Sequence, residues 1–293
     1  MSLAPMYVVV LNWNLKDETT ACIESVLAAG VPEDRIILVD NGSTDDSVEV
    51  LSAHFGSSLS LVRLEKNQGF VGGMNCGIQH ALDQGAASVL FLSNDTVIAP
   101  NMIESMFAAA EILEQPDILG PAIYYYDDPQ RLWAIGGIWH RWLPMPVEVR
   151  PGPRTGPDSA PFRLDYVTGC AMFVQRRVFE RIGLLDTRYF AYYEDADFCR
   201  RAREAGFTIW GVPQARMWHK VSLTTQRDKP LYRYLRARNQ IRFYREHVHG
   251  FQAALREGYL LVKLMMTMLG DIRHGDWRLI GPLWKGTRDG YRQ

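Results

Sequence analysis

Four short and largely apolar runs, residues 7–11, 35–39, 59–64 and 88–92, alternate with segments of helical periodicity, and this alternation constrains the chain more than any other feature. An apolar run of this length suits a strand covered on both faces, as in a parallel sheet, better than a strand with one wet face. The first intervening helix is marked by Ala21, Ile23, Val26 and Leu27 and stops near Gly30 and Pro32. Further helices are expected near 47–54 and 74–83. Strand alternating with helix at this spacing predicts a doubly wound α/β half with right-handed crossovers. A chain of 293 residues that is 47% hydrophobic can bury one large core with an appendage.

Ligands on such sheets gather at the carboxyl edge of the strands, and there the sequence turns polar. Asn12-Trp13-Asn14 follows the first run, the stretch from Asp40 to Asp46 the second, and Ser93-Asn94-Asp95-Thr96 the fourth. Asp40 ends a buried strand, where an unpartnered carboxylate is costly. It either receives the imide N–H of a uracil or thymine ring or binds the backbone of its own Asn-Gly turn while Ser43 or Thr44 caps the next helix. Asp95 offers hard oxygen ligation to a divalent cation, or caps the segment after Pro100. Residues 67–77, Asn-Gln-Gly-Phe-Val-Gly-Gly-Met-Asn-Cys-Gly, are glycine-rich and lead into a helix. Their N–H groups are candidates for a diphosphate, and tight helix packing explains them equally well.

Farther along, Glu194, Asp195 and Asp197 place three carboxylates in four residues, behind Tyr189, Phe190, Tyr192 and Tyr193. In a first helical turn the dipole favours their ionised form, with Arg200, Arg201 and Arg203 toward the negative end. One of them, if its pKa is raised by partial burial, is a plausible base for an alcohol; plain capping of a surface helix is the alternative. From 116 to 161 the pattern breaks into expected short antiparallel strands and loops, with Tyr124, Tyr125, Tyr126, Trp133, Trp139, Trp142 and the prolines from Pro144 to Pro161. Those aromatic rings suit sugar stacking less well than a core role. Residues 165–174 read as a strand carrying Thr168-Gly169-Cys170, residues 177–182 as a helix, and 208–212 and 216–218 as two strands. His219 then follows, as an ordinary hydrogen-bonded histidine or as a partner of Asp95 on a metal.

Net charge is −1, so no global field recruits nucleic acid. Cys22, Cys76, Cys170 and Cys199 are widely spaced and fit a reducing cytosol better than a disulfide frame or zinc site. No charged leader or cleavage signature precedes residue 7. The expectation is a cytoplasmic protein. The basic run Arg227, Lys229, Arg233, Arg236, Arg238, Arg242 and Arg245, opposed by Asp228, is a solvated face or a surface for anionic lipid. The apolar patch 259–269, too short to span a bilayer, either joins that lipid contact or docks on the domain or on a second subunit.

Together these motifs resemble those of the inverting glycosyltransferases of family two, with the GT-A fold, and in particular their bacterial rhamnosyltransferase-like branch. The resemblance runs from Val8 to about Arg245. It implies a Rossmann-like mixed sheet flanked by helices as a catalytic domain over 1–226, with a nucleotide-binding half to about 115 and an acceptor-side half beyond it. A helical extension over 227–293 would follow. Leu11 and Trp13 would touch the base and Asp40 receive its imide. Asn67 and Gly73 belong to a segment similar to the family's N-x-G-x-x-x-G-x-N. Ser93-Asn94-Asp95 resembles D-x-D with serine in the first place, so Asp95 would hold Mg²⁺ or Mn²⁺ on the diphosphate while Ser93 bonds a ribose. Gly169 would lie near the donor sugar, Asp195 in an E-D-x-D match would be the base, and His219 matches a histidine ligand of part of the family. Arg238-Asn239 resembles a later R-N pair.

The reaction implied is transfer of a sugar, rhamnose first, from a dTDP- or UDP-sugar to a saccharide or polyprenyl-linked saccharide in cell-surface polysaccharide synthesis. The protein could rest on the inner face of the cytoplasmic membrane through 227–270 and could form a homodimer. The rivals are a nucleotidyltransferase, disfavoured because no basic glycine-rich segment opens the first strand–helix turn, and a non-catalytic saccharide-binding member of the fold, raised by Ser93.

Overall fold

In the computed structural model, which describes residues 5–56, 58–140, 146–149, 151–156, 158–221 and 228–292, the first half follows the expected alternation. Strands β1 (Met6–Asn12), β2 (Ile36–Asp40), β3 (Ser60–Arg63) and β4 (Ser88–Ser93) are linked by helices α1 (Lys16–Ala28), α2 (Ser47–Phe55) and α3 (Gly69–Asp83). These strands are parallel to their neighbours and lie in the order β4-β1-β2-β3. Along β1, alternate side chains enter different cores: Val9 and Leu11 join Met74 and Ile78 of α3, whereas Val8 and Val10 join Cys22, Ile23 and Val26 of α1. Both faces are dry, which is why the run carries no polar residue. Each buried valine or isoleucine contributes about 1.5–3 kcal/mol.

The second half completes the same sheet with mixed pairing. Its elements are β5 (Thr96–Ile98), α4 (Met102–Ile112), β6 (Ile118–Tyr125), β7 (Leu132–Ala134), β8 (Gly137–Trp139), β9 (Pro146–Glu148), β10 (Phe162–Leu164), β11 (Ala171–Gln175), α5 (Arg176–Ile182), α6 (Glu194–Glu204) and β12 (Ile209–His219). The full order is β10-β12-β6-β11-β4-β1-β2-β3, with β5 on β12 and β7 on β6. β11 lies antiparallel between β4 and β6, and β8 and β9 form a separate hairpin. Helices α7 (Lys229–His247), α8 (Phe251–Arg273) and α9 (Ile280–Arg292) follow. Trp142, Pro144, Pro157, Arg227 and the expected boundary at 226/227 fall outside the described residues.

Several expectations need correction. The helix expected near 74–83 starts earlier, at Gly69, so most of the glycine-rich segment belongs to α3, and of its two explanations tight packing fits: a Cβ on Gly77 would lie 2.3 Å from Val9 Cγ1, and one on Gly73 2.5 Å from Leu11 Cδ1. Close helix–sheet approach excludes side chains there. Thr168, Gly169 and Cys170 precede β11 rather than riding on it. The two late strands are one, β12, with a register shift between Val212 and Arg216 around Pro213, which cannot donate to a ladder. Where short antiparallel strands are expected from 116, the eight-residue β6 lies parallel to β12; buried Gly120 and Pro121 interrupt its apolar run in the sequence. Trp139 stacks on Phe243 with centroids 5.2 Å apart, so this ring ties the hairpin to α7.

Helices α7 and α9 pack closely because Gly286 and Gly290 leave no side chain in the way. A Cβ at Gly286 would sit 2.3 Å from the Tyr234 carbonyl oxygen. Helix α8, by contrast, buries only Leu260 and Asp271. We expect Gly77→Val to destabilise the protein by about 2–3 kcal/mol through overpacking. Gly258→Ala, whose added Cβ meets nothing within 4 Å, should stabilise it by about 0.5–1 kcal/mol. Denaturant midpoints at unchanged slope are the readout.

Candidate active site

The parallel registers set Asn12 beside Asp40 and Leu11 beside Ser93 at the carboxyl edge of the sheet. Buried polar groups there need partners, and they find them in one another. Asn12, fully buried, donates from Nδ2 to Asp40 Oδ1 at 2.9 Å and accepts at Oδ1 from Thr19 at 2.7 Å; Asn94 in turn donates to Thr19 at 2.9 Å. The ends of β2, β1 and β4 are thereby joined through α1. Asp40 also accepts from the Ser43 hydroxyl at 2.5 Å and the Ser43 N–H at 3.1 Å. The bond to its own turn is therefore present, with about one of four carboxylate acceptor positions left over. Neither Ser43 nor Thr44 caps α2, whose N-cap residue is Asp46. Trp13 is half-buried beside this rim, and Leu11 is buried beneath it.

Asn41 fixes the start of α3. Its amide donates to Gly69 O at 3.0 Å and Asn67 Oδ1 at 3.2 Å, and its oxygen accepts from Gln68 N. Asn67 accepts from Gly69 N at 2.7 Å. Those two N–H groups, candidates for a diphosphate, are thus already engaged by protein oxygens.

Asp95 and His219, 124 positions apart, meet because β5 pairs antiparallel with the end of β12, with Thr96 opposite His219. Asp95 Oδ1 lies 3.3 Å from His219 Nε2, and both side chains are about nine-tenths buried. The ring nitrogen Nδ1 is buried without a hydrogen-bond partner among the described residues, while Trp133 packs edge-on at 4.8 Å. Asp95 does not cap α4, which begins behind Asn101. A carboxylate oxygen and an imidazole nitrogen so placed, one ring nitrogen uncommitted, fit a divalent cation of the Mg²⁺ or Mn²⁺ kind.

Asp195, half-buried in the first turn of α6, accepts from Gly169 N at 2.9 Å and from Ala196 N at 2.7 Å. The next residue, Cys170, accepts from Ser93 N at 2.9 Å. Asp195 is therefore two residues and two hydrogen bonds away from the Ser93-Asn94-Asp95 rim. Burial raises the Asp195 carboxyl above the usual range, opposed by the Gly169 and Ala196 N–H groups. Glu194 is raised well above its usual value by burial first and by neighbouring Asp195 second, and its Oε2 has no partner among the described residues. Asp197 instead binds Arg201 at 2.8 Å and His247 at 2.7 Å. Its ligand atoms and those of Glu246 and His247 lie within 4.8 Å of one another, yet the arginine makes this group a tie between α6 and α7.

Two residues that sequence reasoning left without a role hold the acidic turn. Phe190, Tyr192 and Tyr193 all have left-handed backbone, φ 63°, 70° and 73°, at about 1–3 kcal/mol each. Buried Asn239 donates to the carbonyls of Tyr189, Ala191 and Tyr192 at 2.7–2.8 Å, and Arg238 donates to those of Arg188 and Tyr189. Their side-by-side position in the sequence after the acidic stretch was the available signal. Thr19 gave none, being one polar residue on an ordinary helix.

The chain is similar to known proteins over most of its length. The chain is 24% identical over 234 residues to dTDP-rhamnosyl transferase RfbF of Shigella flexneri, covering 76% of this chain and 74% of that protein. It is 27% identical over 220 residues to N-acetylglucosaminyl-diphospho-decaprenol L-rhamnosyltransferase of Mycobacterium tuberculosis, covering 66% and 68%. Among solved structures, the mannosyltransferase from Pyrobaculum calidifontis in complex with GDP-Man and Mn²⁺ superposes with a TM-score of 0.58 at 15% identity, over 98% of this chain and 86% of that one. S. aureus TarS 1–349 in complex with UDP gives 0.54 at 17%, over 87% and 69%. The fold is accordingly GT-A, a mixed sheet flanked by helices with further helices at the carboxyl end. Residues 7–183, more than half of the chain, match the family model named Glycosyl transferase family 2, and the chain belongs to that family.

Proposed function

We propose that this glycosyltransferase moves a sugar, rhamnose first, from a dTDP- or UDP-sugar to a saccharide or lipid-linked saccharide with inversion at the anomeric carbon. The observation that carries the reading is the short path from Asp195 through Gly169 and Cys170 to Ser93, next to Asp95 and His219. The names of the rhamnosyl relatives support the donor, and the decaprenol-linked relative supports a lipid-linked acceptor. Asp40 receives the imide N–H of the pyrimidine, with Leu11 and Trp13 against the ring and Ser93 and Asn94 toward the ribose. Asn67 and Gly73 position α3 beneath the base, and Gly169 faces the donor sugar. A divalent cation on Asp95 and His219, when bound, would neutralise the charge that develops on the leaving diphosphate.

Asp195 accepts the proton of the acceptor hydroxyl as that oxygen bonds to the anomeric carbon and the bond to the diphosphate breaks. One displacement needs one base and inverts configuration. Gly169 and Ala196 fix the carboxylate, and its raised pKa makes it a better base than an exposed aspartate. Residues 227–270 rest on anionic lipid at the inner face of the membrane. Phe251, Leu255, Val262, Met266 and Leu269 are exposed at helical spacing along α8, and none of the described helices is long and apolar enough to cross a bilayer.

Asp195→Asn should lower kcat by about 10²–10⁴-fold with nucleotide affinity nearly unchanged, and wild-type turnover should fall as pH drops through the raised Asp195 pKa. Single-turnover rates across pH, with calorimetry of dTDP, check both, and retained turnover removes Asp195 from the role. Asp40→Ala should weaken dTDP and UDP binding by about tenfold or more, the scale of one buried hydrogen bond to a charged group; an unchanged dissociation constant counts against base recognition. Nucleotide affinity should rise on adding Mn²⁺ to chelator-treated protein and lose that increment in His219→Ala. The same titration with no Mn²⁺ effect would dismiss the cation.

A further inference from the structure

Because α9 packs tightly on α7 while α8 leans away, a cavity of about 920 Å³ opens among the three helices, lined by Ile241, Leu260, Leu261, Leu264, Trp284 and Tyr291 among others. A second chamber of about 220 Å³ shares Ile241, Leu260, Leu264 and Thr287 with it, so the two adjoin. The walls differ in kind. The larger presents mostly hydrocarbon and aromatic surface, although Lys285, Arg288 and Arg292 also line it; the smaller carries Arg233, Arg236 and Lys263, with Gln240 and Thr267 beside them. Tyr193, the residue that precedes helix α6 and stands two positions before Asp195, also lines the smaller chamber.

The charges there are not cancelled. Arg233 pairs with buried Asp271 but keeps a buried Nε without a hydrogen-bond partner among the described residues. Arg236 donates to Tyr232 Oη at 2.6 Å, a neutral oxygen, and Lys263 is exposed with no carboxylate within ion-pair distance among the described residues. Three cations against one carboxylate leave a net positive recess beside a mostly apolar groove. An occupant that satisfies both walls has a long hydrocarbon tail and an anionic head, and two or three phosphate oxygens suit a pair of guanidinium groups and an ammonium.

We propose that the groove between α7, α8 and α9 is the acceptor site for a long-chain diphosphate, its tail against Leu261, Leu264 and Trp284, its diphosphate on Arg233, Arg236 and Lys263, and its sugar carried past Tyr193 toward Asp195. This rests on the reading of Asp195 as the base and specifies the acceptor class that the base serves. It also gives the exposed side of α8 a direction, since a tail leaving the groove passes into the lipid that covers the helix.

The test uses the full chain and three probes in calorimetry: farnesyl diphosphate, farnesol and inorganic diphosphate, each with dTDP and Mn²⁺ at saturation to fill the donor side. Farnesyl diphosphate should bind at least about tenfold more tightly than either of the others, since both walls contribute. Lys263→Gln should weaken it about five- to tenfold and leave farnesol unchanged, whereas Leu261→Glu and Trp284→Ala should weaken both. All three positions are exposed, and thermal midpoints confirm that the variants fold. Equal affinity for farnesol and farnesyl diphosphate, or indifference to these substitutions, overturns the proposal. So does sedimentation as a dimer that Leu261→Glu dissociates, which would give the groove to a second copy. Failure of dTDP to bind in the same cell would instead sink the donor reading, leaving the groove measurement to stand without the nucleotide.

Discussion

A buried hydrogen-bonded chain, Asp40–Asn12–Thr19–Asn94, is the constraint on which the site depends. Parallel strands sealed on both faces deliver their last residues to one edge, and any polar side chain placed there loses water before it gains a ligand. An unsatisfied buried group costs about 1–3 kcal/mol, so the edge holds together only if its members serve each other. Asn12 is suited to this because an amide donates and accepts at once. It spends one side on a carboxylate and the other on a hydroxyl, and the register that sets it opposite Asp40 is the register of the whole sheet. Any slip by one residue would break the network and the hydrophobic pattern together.

The acidic turn obeys the opposite logic. There the backbone is held in an unfavourable conformation by groups outside it: three left-handed aromatic residues lead into α6, and Asn239 and Arg238 collect the carbonyls this leaves pointing away from ordinary partners. Strain of this kind persists only where surrounding structure over-determines it. The helix α7 that supplies the clamp is tied again to α6 by His247 on Asp197. Placement of Asp195 therefore depends on a helix that follows it by more than thirty residues.

What the sequence made legible follows from periodicity and from local chemistry. Strands β1, β2 and β4 could be read because burial on two faces keeps their interiors apolar, and the strand-end clusters stood out against that background; β3, an edge strand with Leu61 exposed, is not covered on both faces as its apolar run suggested. Asp95 and His219 could be named, but their meeting could not be derived from pattern, since it rests on the β5–β12 pairing between short segments over 120 residues apart. The length and parallel pairing of β6 were hidden by Gly120 and Pro121, and the start of α3 by glycines chosen for the gap they leave, which imitates a loop. Thr19 was invisible for a simpler reason: one polar residue on a helix becomes informative only when its neighbours in space are known. Asn239 could be named beside Arg238, but not the three carbonyls it binds.

The β5–β12 ladder has a consequence for how the protein comes into being. During synthesis the half of the sheet that carries Asn12, Asp40 and Asn94 can close on its own hydrophobic core from nearby contacts, whereas Asp95 has no imidazole beside it until the chain has grown through His219 and the late strand has been threaded against β6. Non-local pairing of this sort is slow compared with helix and hairpin formation. The emerging polypeptide thus passes through a stage in which Asn12, Asp40 and Asn94 can already be joined while Asp95 still lacks His219, so this edge of the sheet is completed last by topology alone.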